Sequence, residues 1–271
     1  MIRLFLALLL AGASAAAFAK GGDGVTNHTA APAALDPSKA YLLFRSSTAK
    51  SGMVNIEHVF LRIPTETEIA AYRAAKDAAY AADLPKLTRK AKDGHVPTID
   101  DYAFAYDGPA NAFAVDGGDF LEDGEMRTFL VEVPAGSYVL YGISVGGRVI
   151  TTCNCLGTVK FAARAGVITD MGSLFADKVH KESPVPNLED NVGASMSAHG
   201  FVLGQALVPS TDELKYPAAL AGLPFEAADY HAVGLFTEPG AQGINRLAPI
   251  PGILGYDRGK VIDLRTGQPA N

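Results

Sequence analysis

The chain has 271 residues and a formal net charge of −6, with 48% apolar and 19% charged residues. This composition is typical of a folded globular chain and excludes intrinsic disorder along most of its length. The negative charge argues against nucleic acid as a partner, because phosphate binding requires clustered Lys and Arg. The one basic cluster is short, and we interpret it as a solvated face; it comprises Lys86, Arg89, Lys90 and Lys92.

The first nineteen residues have the three parts of a secretory signal peptide. Arg3 supplies positive charge, residues 4–11 form an uncharged apolar run, and residues 17–19 (Ala-Phe-Ala) form a small-residue cleavage pattern. The apolar stretch is shorter than the ~20 residues of a membrane-spanning helix, and no later stretch is long and apolar enough to span a bilayer. We therefore predict a signal peptide over residues 1–19, cleavage after Ala19 and a periplasmic or secreted location. The alternative is an uncleaved N-terminal anchor.

The chain after the cleavage point begins without an apolar period. Residues 20–39 are rich in Gly, Ala, Asn, Thr and Pro, and we predict a flexible leader there. Order is expected from Ala40, because residues 40–45 form a short apolar run with aromatic residues, as in a buried strand. A second strand is predicted over residues 55–63.

A helix is predicted directly after this second strand. Thr65 and Glu68 have the spacing of a capping box, in which a hydroxyl and a carboxylate satisfy reciprocal backbone donors. Ala-rich sequence follows, and Leu84-Pro85 is expected to stop the helix. The side chains are mostly small, which indicates a peripheral helix over about residues 65–83 lying against the outside of a sheet.

The clearest pattern lies between about residues 126 and 172. Short β-branched and aromatic runs alternate there with Gly-bearing corners, of which Gly136 is one. Closely spaced strands with such turns indicate an antiparallel sheet rather than βαβ units. The predicted strands cover residues 126–133, 137–144, 148–154, 156–163 and 167–172.

The last third of the chain has a weaker pattern. A polar linker is expected first, then a short second helix opened by Ser210 with Glu213, then strand-like pieces at residues 230–236 and 260–264. We therefore predict a mainly β protein with an antiparallel β-sandwich core and a helical insertion over residues 40–175. Residues 176–271 would form the linker, the short helix and a long irregular C-terminal wrap whose strands pack on the core.

Two strings in the middle of the chain carry a family resemblance. VEVPAGSYVLYGIS and the later CLGTVKFAARAGVITDMG combine a strand–PAG–strand turn with an AGV turn. Residues 129–175 therefore resemble transthyretin-like and carboxypeptidase regulatory-like β-sandwich modules of exported bacterial proteins of unknown function. The resemblance implies an exported β-sandwich and no activity, and it carries no catalytic or binding residue onto this chain.

Cys153 and Cys155 are the only cysteines in the chain. In an extended strand their Cα atoms would be roughly 6.5–7 Å apart, at or beyond the usual disulfide reach, so a bridge requires a bend. An oxidising periplasm favours pairing. Three interpretations stay open: a local disulfide, two free thiols, or a redox, soft-metal or intermolecular site. Two thiolates are too few for a closed zinc site, and no cofactor is predicted.

Other motifs with possible chemistry are interpreted as structural or solvated segments. Residues 142–146 match G-x-S-x-G around Ser144, but a β-branched run follows where a nucleophile elbow needs a helix, so we interpret them as a hairpin connection. The acidic residues 116–125 lack EF-hand spacing and are interpreted as a solvated loop. The six histidines have no metal-ligating spacing.

No catalytic residue and no metal site are therefore predicted. The leading hypothesis is an exported, non-catalytic envelope protein with a binding or structural role. The alternative is a periplasmic thiol redox or metal-handling protein that uses Cys153 and Cys155.

Overall fold

The structure is a computed structural model that describes residues 24–48, 56–91, 95–115, 118–123, 126–145, 150–178, 203–211, 216–236 and 243–270. The predicted signal peptide, residues 1–19, lies outside these ranges. Within them the chain forms one α-helix, α1 (Glu66–Lys90), and otherwise mainly strands, so the mainly β class with one helix is confirmed. The strands are β1 (Thr26–His28), β2 (Lys39–Thr48), β3 (Ile56–Ile63), β4 (Ala112–Val115), β5 (Leu121–Asp123), β6 (Met126–Pro134), β7 (Gly136–Val145), β8 (Ile150–Cys153), β9 (Thr158–Ala163), β10 (Ile168–Lys178), β11 (Leu203–Val208), β12 (Phe225–Ala227), β13 (His231–Val233), β14 (Gly243–Ile244), β15 (Leu254–Asp257), β16 (Lys260–Asp263) and β17 (Gln268–Pro269).

The strands form two large sheets and one small sheet. The first sheet has the order β1-β6-β2-β10-β11, with β5 also on β6 and β12 on β10; the second has the order β13-β9-β7-β3-β4, with β8 on β7 and β14 on β8. Strands β15 to β17 form the small sheet. Most pairs are antiparallel, as predicted, but β2–β10, β10–β12 and β8–β14 are parallel. The sequence did not indicate these pairs, because hairpin signals report only strands that are neighbours in the chain.

One apolar cluster joins the two large sheets face to face. Side chains alternate along a strand, so Leu42 and Phe44 of β2 point to the same side, as do Tyr138 and Leu140 of β7. All four lie in this shared cluster and are at most 1% exposed. The packing is that of the predicted β-sandwich.

The ends of the described chain join both sheets. Residues 26–28, predicted to be part of a flexible leader, instead form β1 on the edge of β6, where the imidazole of His28 lies 3.2 Å from the Glu132 carboxylate. The short strand satisfies backbone groups that an open edge would leave unpaired. From the C-terminal third, β11 joins the first sheet, and β13 and β14 join the second. Glu213 of the predicted second helix lies outside the described residues, and a single 3-10 turn follows at Ala218–Leu220.

The start of α1 follows the capping-box prediction. The Thr65 hydroxyl accepts from the Glu68 backbone N–H at 3.2 Å, and the Glu68 carboxylate accepts from the Thr65 N–H at 2.7 Å. The Arg62 guanidinium also donates to this carboxylate at 2.7 Å, which ties the helix start to the end of β3. These contacts lower the pKa of Glu68, with the Arg62 hydrogen bond as the largest cause.

The predicted end of α1 near residue 83 is wrong, since the helix continues through Pro85 to Lys90. A proline inside a helix removes one hydrogen bond to the carbonyl four residues earlier. Here that residue, Ala81, is exposed, so water can bond to its carbonyl. Basic Arg89 and Lys90 also lie in the last turn, where the negative end of the helix dipole stabilises positive charge.

The expected packing of α1 on a sheet is also wrong. The helix has no buried residue and contributes no side chain to the apolar clusters of the sheets. It packs instead against the returning chain: the Tyr72 ring lies 5.2 Å from that of Tyr106, and the Tyr80 ring 5.4 Å from that of Tyr102. Because β3 pairs directly with β4, residues 64–111 form an excursion between two paired strands, which we call the arm.

A buried ion pair lies on the outer side of the first sheet. The Asp170 carboxylate on β10 is 0% exposed and accepts from the Arg45 guanidinium of β2 at 3.1 Å. Its Oδ1 atom also accepts from the Gly172 N–H at 2.8 Å, across an irregularity in the β2–β10 register. The charge of Asp170 is therefore both paired and hydrogen-bonded inside the protein.

Candidate functional site

Cys153 and Cys155 form a disulfide at the end of β8. Their Cα atoms are 5.1 Å apart, closer than two such positions in an extended strand, so the chain bends at Asn154. The two side chains are 0% and 2% exposed and pack with Val59 and Tyr141 on the outer face of the second sheet. The sulfurs are thus within reach of each other but shielded from solvent.

The disulfide loop is held by backbone hydrogen bonds from three directions. Asn154 N–H donates to the Tyr141 carbonyl at 2.6 Å, Asn245 N–H to the Cys153 carbonyl at 2.8 Å, and Phe236 N–H to the Cys155 carbonyl at 3.0 Å. The C-terminal wrap is therefore attached to the core at this loop. Gly142 is required opposite it, because a Cβ there would lie 2.0 Å from the carbonyl oxygen of Thr152.

A line of hydrogen-bonded side chains runs from the disulfide loop through the sandwich. Asn154 Nδ2 donates to Gln205 Oε1 at 2.7 Å, Gln205 Nε2 lies 2.9 Å from His58 Nδ1, and His58 Nε2 lies 2.7 Å from Ser46 Oγ. Each of the four residues is at most 1% exposed. Ser46 and Gln205 belong to the first sheet, and His58 belongs to the second. We call this set the buried polar chain.

The direction of the protons in the buried polar chain is set by its Asn154 end. Asn154 Nδ2 lies 2.7 Å from Gln205 Oε1 and 3.5 Å from the Leu140 carbonyl oxygen, and two oxygen neighbours favour the amide nitrogen at this position. Gln205 then uses its oxygen toward Asn154 and donates from Nε2 to His58 Nδ1. In this arrangement the proton of the neutral His58 ring is on Nε2 and is donated to Ser46 Oγ.

This direction is the reverse of the one that activates a serine. Nucleophilic catalysis needs the serine O–H to donate to an unprotonated imidazole nitrogen that removes the proton. In the arrangement derived above, the Nε2 atom of His58 carries its proton and donates to Ser46. The Ser46–His58 pair resembles a catalytic dyad in distance alone, and it lies inside the core without exposure to solvent.

Burial also fixes the protonation state of His58. Desolvation lowers the pKa of His58 to about 4, because the charged ring would lose its hydration inside the core. The Phe44 and His58 rings lie in a T-shaped arrangement with their centroids 5.6 Å apart. The imidazole is thus neutral at neutral pH and serves as a link between the two sheets.

Ser144 of the G-x-S-x-G sequence lies within strand β7. Its neighbours in register are Glu57 of β3 and Thr151 of β8, and its hydroxyl, which is 0% exposed, lies 3.4 Å from that of Thr151. The chain passes from β7 to the antiparallel strand β8, which agrees with a hairpin connection. A nucleophile elbow instead exposes its serine at a strand-to-helix turn.

The acidic loop and the remaining histidines do not converge on a common point. Asp119 is bonded to Arg127 at 2.6 Å, and β5 from the same loop pairs with β6. His231 lies 3.3 Å from Asp229, while His180 and His199 are outside the described residues. Within the described ranges, no group of three or more His, Cys, Asp or Glu side chains is arranged to hold a metal ion.

Sequence reasoning missed the buried polar chain. The available signal was the position of Ser46 and His58, since each lies two residues from a core phenylalanine, Phe44 and Phe60, on the same strand face. A polar side chain on such a face needs a partner inside the core. The identity of the partner, Gln205, is not contained in any local pattern.

The fold and this site define a mainly β protein whose two large sheets are linked by a buried polar chain that ends at a disulfide. Comparisons with protein families, with curated proteins and with solved structures find no match. Among the described residues, no helix combines the length and the apolar character needed to cross a membrane.

Proposed function

We propose that this is an exported, non-catalytic envelope protein with a binding or structural role. The proposal rests on the buried polar chain. Ser46 Oγ and His58 Nε2 are as close as in a catalytic dyad, yet the proton direction and the burial of the pair suit a structural link between the sheets. The signal-peptide pattern of residues 1–19 supports export, and the resemblance of residues 129–175 to transthyretin-like modules stays a prediction.

The alternative function, thiol redox or metal handling, depends on Cys153 and Cys155. Thiol–disulfide exchange requires a thiolate to reach one of the two sulfurs, and strained or exposed disulfides are the labile ones. Side chains that are 0% and 2% exposed favour a structural disulfide instead. We therefore propose that the bond fixes the bent loop whose carbonyls accept hydrogen bonds from the C-terminal wrap.

Export is tested on the protein expressed in a Gram-negative bacterium. We expect the mature chain in the periplasm or medium, beginning at Lys20 after cleavage behind Ala19. N-terminal sequencing and intact mass of the fractionated protein measure this. A matched variant, Ala17→Leu with Ala19→Leu, removes the small residues that define the cleavage pattern and should accumulate uncut. Full-length wild-type protein in the cytoplasm would contradict the proposal.

The structural role of the disulfide predicts slow reduction in the folded state. We expect mild dithiol treatment to reduce the Cys153–Cys155 bond at least about a hundredfold more slowly in native protein than in denaturant, because the sulfurs become accessible only through opening of the fold. Quantitative thiol labelling over time measures both rates. Equal rates would favour the redox alternative, and two thiols that react before any reductant is added would contradict the disulfide itself.

A further inference from the structure

A segment of the C-terminal wrap joins the two large sheets along one side of the sandwich. It begins as β14, parallel to the end of β8, and continues to Leu247, whose N–H donates to the Gly157 carbonyl at 2.9 Å. On its other side it reaches the first sheet, because the Ala248 N–H donates to the Gln205 carbonyl of β11 at 3.0 Å. We call residues 243–248 the seam segment.

The seam segment shields one side of the apolar cluster between the sheets. Leu247 is 0% exposed and belongs to this cluster, as does Ile250, which follows the segment and is 1% exposed. The two cysteines belong to a different cluster, on the outer face of the second sheet. The sheets therefore share a core that does not include the disulfide, and the seam segment is a separate closure of its side.

The seam segment is held by the bent loop of the disulfide. Asn245 N–H donates to the Cys153 carbonyl at 2.8 Å. Phe236 N–H, earlier in the wrap, donates to the Cys155 carbonyl at 3.0 Å. The Phe236 side chain also packs against the cluster that contains both sulfurs, with its ring centroid 6.4 Å from that of Tyr141. The wrap thus covers the loop to which it bonds, so the disulfide has to form before the wrap is fully docked, because oxidation requires access to the sulfurs.

Two thiols need more room in this loop than the disulfide does. Bonded sulfurs lie about 2 Å apart, closer than any nonbonded contact, so reduction pushes Cys153 and Cys155 apart in a buried place. The loop already lies directly against β7, since a Cβ added at Gly142 would lie 3.1 Å from Cys153 Cα. Expansion in such a packed place shifts the equilibrium between closed and open structures by roughly five- to a hundredfold. The wrap, on the other side of the loop, is the part that can move away.

We propose that the Cys153–Cys155 disulfide is a redox latch for the seam segment. In the chain with two thiols the two large sheets are folded, but the seam segment and Phe236 dock stably only after the bond has formed. The latch closes by thiol–disulfide exchange, in which the two thiols give two protons and two electrons to an oxidant disulfide that leaves as a dithiol. For the compartment, the inference rests on the proposed export, because an oxidising envelope supplies such oxidants and a reducing cytoplasm does not.

Amide hydrogen exchange of the mature chain, followed by NMR, tests the latch. Oxidised protein is compared with protein refolded in the presence of a reductant. We expect the N–H groups of Asn245, Leu247 and Ala248 to exchange about ten- to a hundredfold faster in the reduced protein, at rates that low urea does not change, because this opening exposes little surface. The N–H groups of Leu42 and Phe44, in the central strand β2, should stay far more protected and exchange at rates that urea raises, as expected for global unfolding.

The double variant Cys153→Ser, Cys155→Ser controls for the reductant. It removes the bond and keeps side chains of similar shape, so its seam segment should exchange fast with and without reductant. Equal seam rates in oxidised and reduced protein, or seam and β2 rates that coincide in the reduced protein, would overturn the latch, as would a reduced chain that does not fold. Purified protein that shows the expected redox dependence, while the expressed chain stays uncut in the cytoplasm, would overturn only the proposed function.

Discussion

Replacing Asp170 by alanine is expected to lower the free energy of unfolding by about 3–5 kcal/mol. The carboxylate is 0% exposed and pairs with Arg45, whose side chain is 13% exposed. Without Asp170, the guanidinium stays in a largely dehydrated place with no opposite charge, and the Gly172 N–H loses its acceptor. Urea unfolding followed by far-UV circular dichroism measures the change.

Two further variants test whether the effect of replacing Asp170 comes from its burial. Asp229→Ala removes a carboxylate that also pairs with an arginine, Arg265, but is 69% exposed, and we expect a loss below about 1 kcal/mol. The double variant Arg45→Met, Asp170→Leu removes both charges and should recover much of the stability, because neither is left unpaired. A loss in Asp170→Ala no larger than that of Asp229→Ala would show that the pair is not buried in solution.

Acidification is expected to destabilise the protein through His58. Its pKa is lowered to about 4 in the folded state, against about 6.5 when unfolded, so between these pH values the unfolded chain binds the extra proton. His58 therefore leaves the free energy of unfolding unchanged above pH 6.5. Below that pH the free energy of unfolding falls, and it is lower by about 3 kcal/mol near pH 4.

The variant His58→Gln isolates this titration from that of the carboxylates. The pKa values of Glu68 and Asp229 are also lowered in the folded state, so acidification removes their contribution to the stability of the protein. That loss is the same in the wild type and the variant. We expect wild type to be clearly more stable than the variant at pH 7 and the difference to shrink by about 3 kcal/mol at pH 4. Parallel stability curves for the two proteins would mean that His58 is solvated.

Local patterns predicted local structure well. The spacing of Thr65 and Glu68 located the start of α1, because a capping box involves only residues within one helical turn. The Gly136 corner between β6 and β7 likewise involves neighbouring residues. The end of α1 was missed because the cost of Pro85 depends on whether the freed carbonyl meets water, which a sequence pattern does not report.

Long-range contacts explain what the sequence could not predict. The parallel pairing of β2 with β10 joins segments more than a hundred residues apart, and the Gln205–His58 hydrogen bond spans 147 positions. The sequence left the disulfide as one of several alternatives. The bend at Asn154 that brings the two cysteines together depends on hydrogen-bond partners, Tyr141 and Asn245, that a local pattern does not reveal. The arm was expected to lie on a sheet because its helix is rich in alanine, but its aromatic partners come from the returning chain.

The proton position on His58 is the most direct measure of a structural rather than catalytic Ser46–His58 pair. Long-range proton–nitrogen NMR correlation on the labelled protein distinguishes the two neutral tautomers of the ring. We predict a neutral His58 with its proton on Nε2 throughout pH 8 to 5, held by Gln205 at Nδ1 and donating to Ser46. A ring protonated on Nδ1 with Nε2 free to accept from Ser46, or one that titrates near pH 6.5, would contradict it.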